Sequence, residues 1–242
     1  MLRRGLLISV ARASRNLGGP AARLGRLASR QVRSLARPDH LAPADATPLE
    51  TLPLTVVDCE TTGLDVARDR VISIAALRFQ GPPQAARAVL DTLVDPDVPI
   101  PAAATSVHGI TDGMVAGAPA FRAAARRLAP LLRGAVLVGH AVGFDRAVLA
   151  TEARRAGLPW RDPPMLCTRE LAAALLPVRA GVELEALAAR FDVAVAGRHT
   201  ALGDAWTAAH VFAALTRLAG NVSLGKLRAL CEEGRRRLAA AR

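Results

Sequence analysis

The sequence predicts an α/β fold: one mixed sheet, mostly five-stranded, with helices on both of its faces. Two observations carry that prediction. Short apolar, β-branched runs alternate with longer segments of helical spacing, in the order β-β-β-α-β-α-β-α-α-α. The second and third strands read as a hairpin pair, while helices separate the later strands, an order that implies a mixed sheet covered on both faces.

Each element has a local reason. Residues 54–58 (LTVVD) form a short buried strand that ends on an acid. Residues 71–79 and 86–94 are apolar, are separated by Gly81, Pro82 and Pro83, and read as a hairpin pair. Residues 119–132 have helical spacing with Arg122, Arg126 and Arg127 on the polar side. A buried strand at 135–139 precedes a helix over 144–156, stopped by Gly157 and Pro159. A short strand at 165–167 leads into a helix over 169–176, and further helices cover 183–191 and 201–219. The stretch after Gly220 reads as a basic helical tail, more weakly packed. The domain organisation expected is a basic tail and Pro/Ala-rich linker over 1–51, one domain over 52–219, and the C-terminal tail over 220–242.

Composition narrows the function. With 51% hydrophobic and 22% charged residues the chain is neither disordered nor collagen-like. Three cysteines are too few for a disulfide framework and fit a reducing compartment. No apolar run approaches the roughly 20 residues of a membrane-spanning helix. The net charge of +11 is unevenly placed. Residues 1–37 hold nine arginines and no acid, and residues 217–242 hold seven bases and two acids. Residues 38–216 are left with 16 bases and 19 acids. Basic ends offer sequence-independent affinity for phosphates, whereas an acidic body suits carboxylates gathered around metal ions. Three readings of residues 1–37 stand together: a tail for nucleic acid or an anionic membrane surface, a targeting segment, or upstream sequence kept by a misplaced start codon. Arginine outnumbers lysine 31 to 1, which reflects a GC-rich genome more than binding.

Four segments carry chemistry. In Asp58-Cys59-Glu60-Thr61-Thr62-Gly63 the two acids lie two apart on a strand, hence on one face, where they repel unless a cation or proton separates them. His140-Ala141-Val142-Gly143-Phe144-Asp145 follows a buried strand and puts an acid in the first turn of a helix, with His140 read as a capping or packed residue. In His199-Thr200-Ala201-Leu202-Gly203-Asp204 the histidine stands five residues ahead of an acid one turn into a helix, on a flexible lead-in from which a general base could swing. His108-Gly109-Ile110-Thr111 reads as a loop that contacts substrate, or simply as a turn.

Together, over residues 54–216, these segments resemble the DEDDh exonucleases of the ribonuclease H-like superfamily. Leu184-Glu185-Ala186-Leu187-Ala188 is similar to one of that family's intervening segments. Within the family, the chain is similar to the epsilon proofreading subunit of bacterial DNA polymerase III. The one departure is Cys59, where many members carry threonine; lying between the acids, it should point away from them.

The resemblance implies a three-layer α/β/α fold and a two-metal-ion phosphodiester hydrolase. Asp58, Glu60, Asp145 and Asp204 would hold two Mg²⁺ or Mn²⁺, with Asp58 bridging them, and His199 would be the general base. The tyrosine of the sister subgroup is ruled out here, since the chain has no Tyr. Thr61, Leu64, His108 and Phe144 would contact the terminal nucleotide. The implied activity is 3′–5′ hydrolysis of single-stranded or frayed DNA to nucleoside 5′-monophosphates, in proofreading or repair. An exoribonuclease of the oligoribonuclease or ribonuclease T type is the alternative substrate reading. A non-catalytic nucleic-acid- or polymerase-binding module is the alternative of another class. The implied partners are single-stranded nucleic acid and a DNA polymerase, although no clamp-binding peptide or long tethering tail is evident and a free-standing or accessory enzyme is expected. The expected location is a bacterial cytoplasm, with membrane-surface association through the N-terminal tail left open.

Overall fold

Leu54, Val56 and Val57 are wholly buried β-branched or aliphatic residues, and the strand they build lies at the centre of the sheet. The structure, a computed structural model, describes residues 42–83, 86–177 and 182–241. The basic segment 1–37 lies outside them. Five strands are present among the described residues: β1 Pro53–Thr61, β2 Val71–Gln80, β3 Ala88–Leu93, β4 Val136–Gly139 and β5 Met165–Cys167. Their order is β3-β2-β1-β4-β5. β1 pairs antiparallel with β2 and parallel with β4, β2 pairs antiparallel with β3, and β4 pairs parallel with β5. The sheet is therefore mixed, as the spacing of the segments requires.

Eight helices follow among the described residues: α1 Ala102–His108, α2 Asp112–Val115, α3 Phe121–Leu132, α4 Gly143–Arg155, α5 Thr168–Leu175, α6 Leu184–Arg190, α7 Ala201–Ala219 and α8 Leu224–Ala240. Alternation along β1 assigns them to layers. Leu54 and Val56 face a core formed with α5, α6, α7 and α8. Val57 and Cys59 face the other side, with Phe121, Ala124 and Leu128 of α3 and Val148, Leu149 and Ala153 of α4. Alanines 201, 205, 208 and 209 let α7 approach the sheet closely. Thr200 caps its start by accepting from the Gly203 N–H, and Gly220, at φ +78°, ends it.

Gly109, Ile110 and Thr111 form the turn read from the sequence, with His108 closing the short helix α1 before it and α2 following, and Ile100, Ile110 and Val115 bury themselves with Ile72. Two findings differ from the sequence reading. The helix after Gly220 is not weakly packed. Leu224, Leu227 and Cys231 belong to the main core, and Gly234 touches α5 so closely that a Cβ there would collide with the Glu170 carbonyl. The preceding linker is also engaged: Leu49 and Leu52 are core residues, and Asp45 pairs with Arg228 at 2.7 Å.

Candidate active site

The acids gather where the central strand outruns its parallel neighbour. β4 pairs with β1 only from Leu54 to Val56. At Gly139, the last residue of β4, a Cβ would lie 2.7 Å from the Val57 carbonyl, so close an approach admits only glycine. The chain turns away there and leaves a crevice beyond the carboxyl ends of the parallel strands, the place where open α/β sheets bind ligands. Asp58 and Glu60 follow on β1, on the face shared with Leu54 and Val56 and so on the side of α7. Cys59 points into the opposite layer.

α7 presents Asp204 to them. One carboxylate oxygen each from Asp58, Glu60 and Asp204 lies within 4.8 Å of the others. Asp204 is buried, and its Oδ1 has no hydrogen-bond partner among the described residues. Asp145, in the first turn of α4, stands outside that group of three but is tied to it: its Oδ1 accepts the Cys59 N–H at 2.9 Å. Three of the four acids expected from the sequence thus converge directly, and the fourth is anchored to the backbone between two of them.

Burial and mutual repulsion make these groups hard to ionise. Asp58 is held well above the ordinary carboxylate range, first by burial and then by Asp145, Asp204 and Glu60. Burial pushes Asp145 up to about 7, against the lowering effect of the backbone N–H groups that it accepts. Glu60 and Asp204 are raised too, chiefly by burial, with Arg198 opposing. Carboxylates crowded in this way favour a cation among them, and the unpartnered Asp204 Oδ1 is an oxygen without another use. The donor set, all oxygen, fits Mg²⁺ or Mn²⁺.

Among the described residues Arg198 brings a positive charge to these acids. Its Nη1 pairs with Asp204 Oδ2, and its Nε donates to Glu185 Oε1 at 2.7 Å. His199 follows, exposed, with left-handed backbone at φ +59° and Nδ1 3.3 Å from Arg198 Nη1. A guanidinium only donates, so Nδ1 offers its lone pair there and Nε2 carries the hydrogen. The lead-in to His199, expected to be flexible, is pinned. Thr200 Oγ1 donates to the Gly197 carbonyl at 2.5 Å, and a Cβ at Gly203 would collide with the carbonyls of Ala196 and Gly197.

The four residues expected to touch substrate are placed differently from one another. Thr61 is buried and its hydroxyl donates to the Gly63 carbonyl at 2.6 Å. Leu64 is 85% exposed in the loop after β1. His108 is buried at the end of α1, where Nδ1 accepts the Ile110 N–H at 3.0 Å. Burial lowers its pKa, and its Nε2 is buried with no hydrogen-bond partner among the described residues. Phe144 packs partly buried against the α3–α4 core. His140 is a packed histidine: Nδ1 lies 2.9 Å from Thr168 Oγ1, and burial, with Arg169 adding to it, brings its pKa down to about 4. Sequence reasoning missed Arg198 and its tie to Glu185, a spatial contact between the start of α6 and the connection that leads into α7.

A mixed sheet of this order, with acids meeting past the end of its central strand, defines a ribonuclease H-like nuclease domain. Over residues 55–212 the sequence matches the RNase_T family, described as exonuclease, and the chain belongs to that family. It is 43% identical over 169 residues to a DNA polymerase III subunit epsilon-like protein of Rhodobacter capsulatus, covering 69% of this chain and 24% of that protein. It is 32% identical over 160 residues to a PolC-type DNA polymerase III of Caldanaerobacter subterraneus, covering 65% of this chain and 11% of that one. The chain thus spans a quarter or less of the length of these two relatives. Among solved structures, exonuclease X in complex with 5′-overhanging duplex DNA is similar at a TM-score of 0.58 and 26% identity, over 73% of this chain and 99% of that one. Escherichia coli exonuclease I in complex with a dT13 oligonucleotide shares the fold at a TM-score of 0.61 and 19% identity, over 69% of this chain and 41% of that one. Among the described residues no helix is long and apolar enough to cross a membrane.

Proposed function

We propose that this chain is a metal-dependent 3′–5′ exonuclease that removes nucleoside 5′-monophosphates from single-stranded or frayed DNA. The observation that carries the reading is the convergence of Asp58, Glu60 and Asp204, with Asp145 anchored beside them, in a domain of the exonuclease family. DNA is favoured over RNA because relatives and fold neighbours include polymerase-associated proteins and DNA-bound exonucleases.

Asp58, Glu60, Asp145 and Asp204 would hold two divalent cations, Mg²⁺ or Mn²⁺, which when bound neutralise phosphate charge and lower the pKa of an attacking water. The rest is done by the chain. The N–H of Cys59 fixes Asp145, so that the acid reaches the crevice in one orientation. Glu185 holds Arg198 against Asp204, keeping a positive charge at the rim where a phosphodiester would enter. His199 takes the proton of the attacking water at a ring nitrogen; Nδ1 serves once the ring turns from Arg198, and Nε2 after a change of tautomer. Thr61 at the end of β1, the exposed Leu64 after it, His108 and Phe144 receive the terminal nucleotide. A DNA polymerase is the protein partner that the relatives suggest, and a cytoplasmic location suits such a partner.

The test is incubation of the purified protein with 5′-labelled single-stranded DNA and RNA of one sequence, with Mg²⁺, with Mn²⁺ and with chelator. A metal-dependent ladder shortening from the 3′ end, faster on DNA, is the expected result. Faster shortening of the RNA would move the assignment to an exoribonuclease, and no shortening of either strand would overturn it.

A further inference from the structure

One strongly charged cluster plays no part in holding the cation site. Glu152 of α4 is 2% exposed, a depth at which an unpaired carboxylate is very costly. Two arginines meet it. Arg70 Nε donates to Oε1 at 2.6 Å and Nη2 to Oε2 at 3.3 Å, while Arg155 Nη1 donates to Oε1 at 2.8 Å. Arg155 does more than neutralise Glu152. Its Nη1 also donates to the Asp69 carbonyl at 2.7 Å and its Nη2 to the Ala67 carbonyl at 2.5 Å. Those carbonyls belong to the loop over 62–69, which begins immediately after Thr61 and carries Leu64.

That loop is built to hold a shape. Its ends meet through the Thr62 N–H and the Arg70 carbonyl at 2.9 Å. Inside it, Asp69 accepts from the Thr62 hydroxyl at 3.0 Å and from the Asp65 N–H at 2.7 Å. Asp69 also fills the space beside Gly63, where a Cβ would lie 2.5 Å from its Oδ2. Leu64 has little packing of its own to hold it, so the position of its side chain depends on the loop. The loop in turn is tied to the body of the protein by Arg155 and Arg70. Glu152 stands two helical turns after Asp145 on α4, about 10 Å along the axis, too far to bear on the acids directly.

We propose that Glu152, Arg70 and Arg155 are positioning residues that set the 62–69 loop, and with it Leu64, for binding of the nucleic-acid 3′ end. The inference rests on the exonuclease reading above. It separates two jobs along one helix: Asp145 at the start of α4 serves the chemistry, and Glu152 and Arg155 near its end serve substrate binding. A cavity of about 330 Å³ beside the cluster, bordered also by Asp95, Asp97 and Arg122, gives water access to it, so a neutral variant can hydrate rather than collapse.

The test compares the full chain with its Arg155→Met, Arg155→Lys and Glu152→Gln variants on a single-stranded DNA oligonucleotide. Arg155 is partly exposed, so its variants should fold even where Glu152→Gln does not. Losing the two carbonyl contacts should raise KM about ten-fold in Arg155→Met with kcat within about two-fold, and Arg155→Lys should recover part of the loss. Mn²⁺ affinity by calorimetry should be unchanged, and amide exchange should quicken over 62–70 but not in β1 or β2. An unchanged KM, a joint fall in kcat and Mn²⁺ affinity, or exchange quickened throughout the protein would overturn the inference alone. A wild-type protein that cuts no oligonucleotide would overturn the functional reading first, and this inference with it.

Discussion

Asp145 Oδ1 accepts the N–H of Cys59 at 2.9 Å, so the start of α4 is tied to the backbone between Asp58 and Glu60. An Asp145→Asn side chain can still accept that N–H through its amide oxygen while giving up the charge. With chelator present, the variant should be more stable than wild type by about 1 kcal/mol, the usual gain from relieving crowded charge at a functional site. Its exonuclease rate should fall by at least about a thousand-fold if all four acids are needed. Thermal melting and single-turnover cleavage check the two halves separately.

The same crowding fixes a pH dependence. Asp145, at about 7 in the folded protein, and Asp58, also raised, bind protons that the unfolded chain has already lost above about pH 4. These carboxyls therefore hold more protons in the folded state between about pH 4 and 7, and their contribution to stability falls as pH rises through that window; His140, brought down to about 4, and His108, also lowered, oppose it below about pH 6.5, so the net fall is steepest above that. In chelator, the melting temperature should drop by a few degrees from about pH 6.5 to pH 8, above the range in which the histidines titrate in the unfolded chain, and millimolar Mn²⁺ should flatten the profile. A melting temperature that rises with pH over that range in chelator would contradict the assignment.

His199 is exposed and its lead-in is pinned, so chemistry and stability should separate there. His199→Gln should lower kcat by roughly 10²–10⁴-fold, the range for a lost general base, with little change in melting temperature or Mn²⁺ affinity. Gly203→Ala, which drives a methyl into the Ala196 and Gly197 carbonyls, should displace that lead-in and lower kcat as well. Mn²⁺ titration distinguishes them, because Gly203→Ala also disturbs the turn before Asp204 and His199→Gln does not.

The helix α8 should behave as part of the domain. A Gly234→Ala methyl has no room against the Glu170 carbonyl, and the substitution should cost about 1–3 kcal/mol or more, as overpacking does. Urea unfolding measures it, and a variant as stable as wild type would mean that α8 does not pack on α5 as described.

Much of this was legible from residue order alone. Strict alternation puts Asp58 and Glu60 on one face, and Thr200 before an apolar helix marks where Asp204 must sit. That is why the sheet and its order of elements could be expected, whereas the meeting of Asp145 and Asp204 with the strand acids was implied by the resemblance to the DEDDh exonucleases. Small residues hid the rest. Gly234 lets α8 press against α5, a closeness that hydrophobic periodicity does not register, so a tightly packed helix reads as a loose basic tail. Glu152 looks like a polar position on an ordinary helix, since nothing local announces two arginines, one of them 82 residues away, meeting it in the interior. Arg198 reads as one more arginine in an arginine-rich chain. Its pairing with Glu185 and Asp204 exists only once α6 and α7 are packed.

The central claim is that these acids gather divalent cations for phosphodiester hydrolysis, and Mn²⁺ calorimetry run beside cleavage of a 5′-labelled DNA strand tests it most directly. Wild type should bind Mn²⁺ and shorten the strand from its 3′ end over the same range of metal concentration. Asp58→Asn should lose both together. Cleavage that persists undiminished in Asp58→Asn, or a wild-type protein that binds no Mn²⁺, would contradict the account.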